Sequence, residues 1–385
     1  MSQLDALRAE IDDIDGRLTA LFLRRMEVTE QVGRWKQANG IPVLDAGRER
    51  EVLVQKAALT GDPARKEDVT ALYEAIMAIS RRQQHKLLHQ SGNEDYQRIR
   101  AALAAVRTPL ERPRVLYQGE PGAYSDEAAG AFFGEDAPRS HVATWEEVFA
   151  ALKEGRADYG VVPIENSSTG SISQVYDLLA QYGHSIVGEQ EVKVDHCLAA
   201  LPGADLDGIR QVYSHEQGLL QCAAYLKEHP AWTCLPRLNT AESAKFVAGS
   251  GDPAKAAVCS PHAARRYGLD ILARHINAND RNYTRFVVVS PVPEHRPGSD
   301  KVSVLFTLPH RTGSLHQLMT IFSVNGLNLM KLESRPIVGR SWEYLFFADF
   351  IGDLTAPGMD GVLLELTQTA EGFRVLGNYP ACKEG

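Results

Sequence analysis

The sequence predicts three successive folds in one chain of 385 residues: an all-helical unit, a two-lobed α/β unit and a small α+β unit. Three observations carry that expectation. Residues 1 to about 90 hold few glycines or prolines and repeat apolar residues every three or four positions, the period of a helix with one buried face. From Arg114 onward short apolar runs alternate with amphipathic segments, the signature of an open α/β sheet. After a Pro/Gly-rich stretch at 290–300 the pattern reads strand, helix, strand, strand, helix, strand, the ferredoxin-like plan. Domains of roughly 100–200 residues agree with two or three in this length.

The helical unit is expected over 1–92. Leu4, Leu7, Ile11, Ile14, Leu18, Leu21, Val28 and Val32 mark one helix, ended by Gly40 and Pro42. It far exceeds the mean globular helix of about 11 residues. A helix this long cannot fold back on itself, so a partner chain is expected against it. A second helix should begin near Asp45. A third should run from Asp62-Pro63, a cap and first-turn pair, to about His89.

Cations interrupt the apolar stripe. Arg25 and Lys36 fall within roughly 20° of each other on the first helix, inside the arc of Ile11, Leu18 and Val32, with Arg8 near its edge. Buried cations need an anion. It could come from a neighbouring helix, or the side chains could snorkel to the rim. On the third helix Ser80 and Gln84 share a line with Tyr73, Ile76, Met77 and Leu87. Polar groups facing inward on both helices favour a pocket for a small ligand with two or more negative charges.

Residues 93–113 read as a linker. The α/β unit, expected over 114–292, shows strands in RVLYQG, DYGVVPI, SIVGEQEV, IRQVYS, AAVCS and TRFVVVS, with helices between them. Ligands in such sheets sit beyond the strand carboxyl ends. Gly119 and Gly122 of GEPGAYS allow a tight turn before a helix that Ser125 can cap. The segment is not GxGxxG, so no dinucleotide site is expected. Glu165 to Thr169, followed by Gly170, would make a carboxylate-binding helix N-terminus. Thr284 and Arg285 open a strand. Taken singly, a turn, a cap and a strand-initiating Thr would explain each cluster.

Composition narrows the function classes. Hydrophobic residues at 44% and charged residues at 23% suit a globular chain with several cores. A formal net charge of -8 and a pI of about 5.9 argue against nucleic-acid binding. No apolar run reaches about 18 residues, so no membrane span is expected. The N-terminus lacks the basic and apolar regions of a secretory signal. Five scattered cysteines without a CxxC motif suit a reduced, cytoplasmic enzyme rather than a disulfide scaffold or zinc site.

Together these segments resemble the bifunctional chorismate mutase–prephenate dehydratases. The helical segment resembles that family's mutase domain, an intertwined dimer of three-helix chains. Its arginine supplied by the partner chain matches Arg8. The second arginine and the lysine match Arg25 and Lys36, the D-x-x-R-E motif matches Asp45, Arg48 and Glu49, and the third-helix pair matches Ser80 and Gln84. The resemblance implies that all eight bind chorismate. Arg8, Arg25 and Arg48 would clamp its carboxylates. Lys36 and Gln84 would bond the ether oxygen as it gains charge, and Glu49 and Ser80 would hold the hydroxyl or orient those groups.

Residues 114–290 resemble the prephenate dehydratase domain through G-x-x-G-x-Y-S, V-P-I-E-N-S and T-R-F segments. The resemblance implies two lobes of the periplasmic-binding-protein type with the site between them. It makes Thr284, Glu165 and Asn166 catalytic. Ser125, Asn166, Ser168, Thr169, Ser214, Gln217, Gln221, Arg285 and Phe286 would bind prephenate. Glu216 stands where the family's Y-S-H-x-Q segment commonly has proline. The last unit, expected over 299–385, resembles the phenylalanine-binding ACT domain. Gly313-Ser314-Leu315-His316 stands in place of G-A-L-V, and Glu333-Ser334-Arg335-Pro336 is intact. Implied are conversion of chorismate through prephenate to phenylpyruvate, inhibition by L-phenylalanine, no cofactor or metal, and a homodimer or tetramer. A mutase–dehydrogenase would need the missing G-x-G-x-x-G. A non-catalytic amino-acid sensor would not need the mutase set and Thr284.

Overall fold

The computed structural model describes residues 2–41, 43–88, 93–337, 339–340 and 342–382. Pro42 and His89, expected as helix ends, lie outside them, as does the Leu87 side chain. Two compact units emerge: Met1–Ala101 with Val304–Arg374, and Ala102–Ser303 with Val375–Gly385.

In the first unit α1 spans Gln3–Ala38 and starts with a reciprocal capping box between Ser2 and Asp5. The eight residues of its predicted stripe are 45–69% exposed within the single chain. α2 (Ala46–Ala58) is capped by Asp45, whose carboxylate accepts the Arg48 N–H. A 3-10 turn at Pro63–Arg65, capped by Asp62, leads into α3 (Lys66–Leu88). The stretch expected as a linker instead carries α4 (Glu94–Ala104). Ile99 of this helix is buried, and Asp95 accepts the Phe373 N–H at 2.9 Å. Ile99 and Leu103, four residues apart, lie on one face of this helix.

The second unit opens with β1 (Val115–Gln118), α5 (Tyr124–Phe133), β2 (Arg139–Val142), α6 (Trp145–Lys153) and β3 (Tyr159–Asn166). β4 (Gly170–Ser171), α7 (Ser173–Tyr182) and β5 (Ser185–Lys193) follow. The chain then builds a separate sheet. Its parts are β6 (Cys197–Ala200), β7 (Gln211–Ser214), α8 (Glu216–Gln221), α9 (Ala223–Lys227), β8 (Thr233–Pro236), α10 (Thr240–Ser250), β9 (Lys255–Cys259), α11 (Pro261–Arg266) and β10 (Asp270–Ala273). It returns to the first sheet with β11 (Tyr283–Ser290). The strand orders are β2-β1-β3-β11-β5, with β4 on β3, and β10-β6-β9-β7-β8. Each sheet has its own apolar cluster, one around Tyr117, Tyr159 and Phe286 and others around Tyr213, Ile209 and Val258. The chain therefore crosses between two lobes twice.

Strands β2, β4, β6, β8 and β10 are absent from the sequence reading: β2, β8 and β10 are four-residue edge strands with at most half-buried faces, β4 has two residues, and β6 is a fully buried inner strand of four. Runs of four residues or fewer are too short to establish a strand period. The helix expected over 216–229 is broken at Cys222, which is buried and ends α8.

The chain closes with β12 (Lys301–Thr307), α12 (Ser314–Val324), β13 (Asn328–Pro336), β14 (Tyr344–Ile351), α13 (Met359–Thr369) and β15 (Glu371–Tyr379). Their sheet order, β13-β14-β12-β15, is that of the ferredoxin-like plan. Within the first unit α12 and α13 pack on α3. No helix among the described residues is long and apolar enough to cross a membrane.

Candidate active sites

The helical site is assembled from α1 and α3. Arg25 donates to Ser80 Oγ at 2.7 Å, and that hydroxyl donates in turn to the Ile76 carbonyl one turn back at 2.8 Å. Burial holds the Arg25 guanidinium below its usual value, opposed by nearby Tyr73 and Glu49. Lys36 Nζ donates to the Val43 carbonyl at 2.8 Å, fixing the chain between α1 and α2. Gln84 is 8% exposed, and its Oε1 has no hydrogen-bond partner. A buried acceptor left unsatisfied costs about 1–3 kcal/mol, so the Gln84 carbonyl retains capacity to accept a hydrogen bond.

Other predicted members are not gathered by one chain. Arg48 is exposed and pairs with Glu51 at 3.0 Å, and Asp45 is engaged as the α2 cap. Arg8 is exposed and lies 17 residues before Arg25 on the same helix, about 26 Å along its axis. Glu49 meets a residue that sequence reasoning missed: Arg81 Nη1 donates to both of its oxygens at 2.6 Å. The signal was available, since Arg81 continues the row Tyr73–Met77 at four-residue spacing.

The second site sits where β3 ends beside the start of β11. The expected helix N-terminus at 165–170 is not there. Glu165 and Asn166 pair with Ser171 and Gly170 in a tight hairpin, and α7 begins only at Ser173. The turn is held by Asn166, whose Oδ1 accepts the N–H groups of Ser168 at 2.9 Å and Thr169 at 3.0 Å, and the Thr169 hydroxyl at 3.3 Å. Those donors fix the amide orientation. Asn166 Nδ2 then donates to the Tyr283 carbonyl at 3.1 Å, Asn282 Oδ1 at 2.8 Å and Thr284 Oγ1 at 2.9 Å. Thr284 is 8% exposed and stands opposite Asn166 in the ladder. Accepting from Asn166 leaves its O–H to be donated elsewhere.

Successive strand residues point to opposite faces. Glu165 and Arg285 therefore form a pair on the face away from Asn166 and Thr284, 3.3 Å apart. Arg285 also lies 3.2 Å from Glu189, a buried carboxylate that accepts from Lys301 Nζ at 2.8 Å and from the Cys382 N–H at 2.9 Å. This ion cluster gives Arg285 an anchoring place. Glu189 had no sequence signal beyond a Glu inside a strand. Phe286, expected at prephenate, is 2% exposed and packed with Tyr117, Val161 and Val288. It is a core residue, because it shares the inward face of β11.

In the other lobe Ser214 is fully buried and donates to the Val258 carbonyl at 2.7 Å. Gln217 is exposed in the first turn of α8. Gln221 Oε1 lies 2.9 Å from His196 Nε2, whose Nδ1 lies 3.1 Å from the Tyr124 hydroxyl. Burial lowers the His196 pKa, so it favours the neutral imidazole. Ser125 is buried inside α5 rather than capping it. The cap position is Ala123, which makes no side-chain bond. Gly122 has φ +92°, and a Cβ there would meet the Ala263 backbone at 3.0 Å, which explains the glycine.

In the last fold Gly313, at φ +83°, precedes α12. Ser314 is 7% exposed and donates to the Pro309 and Arg311 carbonyls at 2.8 and 3.0 Å, while Leu315 is exposed. Glu333, Ser334, Arg335 and Pro336 close β13, which is an edge strand.

Residues 7–85 match the chorismate mutase type II family, and residues 115–294 match the prephenate dehydratase family. The bifunctional chorismate mutase/prephenate dehydratase of Escherichia coli (strain K12) is 35% identical over 387 aligned positions, covering 98% of this chain and 96% of that protein. The Aquifex aeolicus (strain VF5) protein of the same description is 31% identical, covering 99% and 98%. Among solved structures, prephenate dehydratase in complex with L-Phe from Arthrobacter aurescens is 31% identical with a TM-score of 0.63, covering 69% of this chain and 89% of that one. A protein described as a novel type of quorum quenching acylase is also 31% identical, with a TM-score of 0.64, covering 70% and 98%. With both activities' folds present and near-complete coverage of two-activity relatives, the chain is an enzyme that belongs to the bifunctional chorismate mutase/prephenate dehydratase family.

Proposed function

We propose that the chain's two reactions, chorismate to prephenate and prephenate to phenylpyruvate, run at two separate sites, and that L-phenylalanine inhibits through a third. The observation that carries the reading is the placement of two polar clusters in different units, Arg25–Ser80 in one and Asn166–Thr284 in the other. The working boundaries are 1–92 for the mutase, 114–292 for the dehydratase and 299–385 for the effector domain.

The mutase step is a rearrangement within one molecule, so the protein has only to fold the substrate and hold it. Arg25, Arg48 and a partner chain's Arg8 bind the two carboxylates. The 26 Å of helix between Arg8 and Arg25 (about 1.5 Å per residue) and the exposed α1 stripe both favour a homodimer, or a tetramer built from dimers. Lys36 and Gln84 donate to the ether oxygen as its bond breaks, which stabilises the transition state over the substrate. Glu49 holds the substrate hydroxyl, with Ser80 orienting Arg25 and Asp45 setting α2.

In the dehydratase step, loss of CO2 supplies the electron pair that makes the ring aromatic and expels the hydroxyl, which must leave as water. Thr284 gives its O–H proton to that oxygen as it leaves and takes a replacement proton from solvent water, so that one proton is consumed per turnover. Asn166 donates to Thr284 Oγ1, which holds the hydroxyl rotor so that its proton points outward. Ser168, Thr169, Ser125, Gln217 and Gln221 supply polar contacts to the carboxylates. Glu165 and Arg285 act as a charged anchor at the strand ends, and Ser214 acts by shaping the lobe.

The L-phenylalanine site is formed at Gly313, Ser314 and Leu315 with Glu333 to Pro336, on edge strand β13, where a second copy can pair. Binding there is coupled to the dehydratase cleft. The protein works in the cytoplasm, where its five cysteines stay reduced thiols. The test supplies purified protein with chorismate alone, then prephenate alone, each with and without L-phenylalanine. Phenylpyruvate from both substrates, suppressed by phenylalanine, is the expected result. Prephenate accumulating with no phenylpyruvate would overturn the dehydratase assignment, and undiminished turnover with phenylalanine would overturn the effector site.

A further inference from the structure

Arg81 on α3 follows Ser80, and its side chain is only 11% exposed. Besides the two 2.6 Å contacts to Glu49, its Nε lies 3.3 Å from Glu365 Oε1 on α13. A single guanidinium thus joins a residue of the mutase site to a helix of the C-terminal fold, all within one compact unit. The surroundings fix the two layers together. Arg82 donates to the Val324 carbonyl, His316 Nε2 lies 3.0 Å from Glu74 Oε2, and Asn93 Nδ2 donates to the Thr367 carbonyl at 2.6 Å. Glu365 is 1% exposed, and its Oε2 has no hydrogen-bond partner. Burial pushes its carboxyl above the usual range, opposed by Arg81.

We propose that Arg81 is a positioning residue of the mutase, holding Glu49 toward the substrate, and that it carries the state of the C-terminal fold to the mutase through Glu365. A carboxylate left loose beside a dicarboxylate substrate repels it and samples several rotamers. One clamped by a buried guanidinium is neutralised and fixed. Glu365 holds the other side of that guanidinium by a longer contact. A shift of α13 by about 1 Å would break that contact and re-aim the fork, since such a charged bond weakens steeply with distance. The inference rests on the assignment of Glu49 to chorismate and of an effector site to the C-terminal fold.

The experiment uses the full-length protein with Arg81→Leu, Arg81→Lys, Glu49→Gln, Glu365→Gln and the double variant Glu49→Gln/Arg81→Leu. Arg81→Leu is expected to lower mutase kcat about tenfold or more while KM moves less, with dehydratase turnover of prephenate at the wild-type level as the internal check on folding. Arg81→Lys should recover part of that loss, since it keeps the charge without the fork. In the Glu49→Gln background Arg81→Leu should cost less than twofold further, the non-additivity expected when one residue acts through the other. In Glu365→Gln the ratio of mutase rates with and without phenylalanine should move toward one, while phenylalanine still inhibits the dehydratase. Additive losses at Arg81 and Glu49 would overturn the positioning role. A mutase response to phenylalanine that is absent in the wild type, or unchanged in Glu365→Gln, would overturn the link. If instead the wild-type dehydratase ignores phenylalanine, the effector site itself fails, and the Arg81–Glu49 cycle still decides the positioning role alone.

Discussion

Helix α1 and the strand pair β3–β11 both carry residues of the proposed sites, yet they keep their apolar surface in opposite ways. Along α1, Leu4 to Val32 remain half exposed, whereas Val161, Val162, Ile164, Val287, Val288 and Val289 of the strands are at most 3% exposed. A strand in mid-sheet finds neighbours on both edges and both faces within its own chain. A 36-residue helix extends about 54 Å and outruns what its own chain can cover. The polar cluster at β3–β11 is consequently bonded within one chain, with Asn166 donating to Thr284. On the helical side the chain joins Arg25 to Ser80, while Arg8 lies about 26 Å along α1 from Arg25.

The largest effects should separate the two regions chemically. Lys36→Ala is expected to cost mutase activity about 10²–10³-fold or more, and Thr284→Val a similar factor in dehydratase activity. Each should spare the other reaction, with rates measured separately on chorismate and prephenate. If either variant lost both activities while still folded, the two-site division would be wrong.

Next in size is a charge on the exposed stripe. Leu18→Asp should weaken association of copies, seen by sedimentation, and lower mutase activity at least tenfold while prephenate turnover persists. Full mutase activity from a monomer would break the comparison at its root.

Adding one methyl group to a glycine sharpens it further. A Cβ on Gly377 would collide with the Ile186 carbonyl, whereas one on Gly16 of α1 would meet nothing within 4 Å. Gly377→Ala should therefore destabilise by about 1–3 kcal/mol, and Gly16→Ala should stabilise by up to about 1 kcal/mol. Thermal melts of both variants test this, and equal shifts would contradict the packing contrast.

The smallest effect is a pH slope confined to the α/β region. Burial lowers the pKa of His184, against a hydrogen bond to the Phe149 carbonyl, and also lowers that of His196, against one to Gln221. The unfolded chain takes up protons near pH 6.5 that these imidazoles refuse. Stability is thus full above about pH 6.5 and declines as pH falls through that value. A drop of a few degrees in Tm between pH 7.5 and 5.5 is expected, reduced in His184→Gln. A melting temperature independent of pH in that range would show that the buried imidazoles are not the cause.

Much of this was legible in the residues themselves. The 3.6-residue period foretold α1 to within two residues, and α2 begins beside Asp45 as expected, whereas Asp62 caps a 3-10 turn and α3 starts only at Lys66. The β-α-β-β-α-β order emerged from apolar runs alone, because burial leaves a period in the sequence wherever an element has one inner face. The misses share a cause. Loop 165–170 is a hairpin rather than a helix start, because Asn166 satisfies the turn's N–H groups itself, a bond that polar composition does not announce. Phe286 and Thr284 sit on one face of β11 and Arg285 on the other, so three adjacent residues have different duties.

By itself, then, the sequence determined the succession of three folds, the course of the long first helix and the residue types that could serve a dianionic substrate, since propensity and periodicity are local. Only the tertiary structure decided that Asn166 donates to Thr284 across 118 positions, that Glu189 anchors Arg285, and that Arg81 joins Glu49 to Glu365 across 32 and 284 positions. Such bonds depend on which charges burial brings face to face, and no local pattern encodes that meeting.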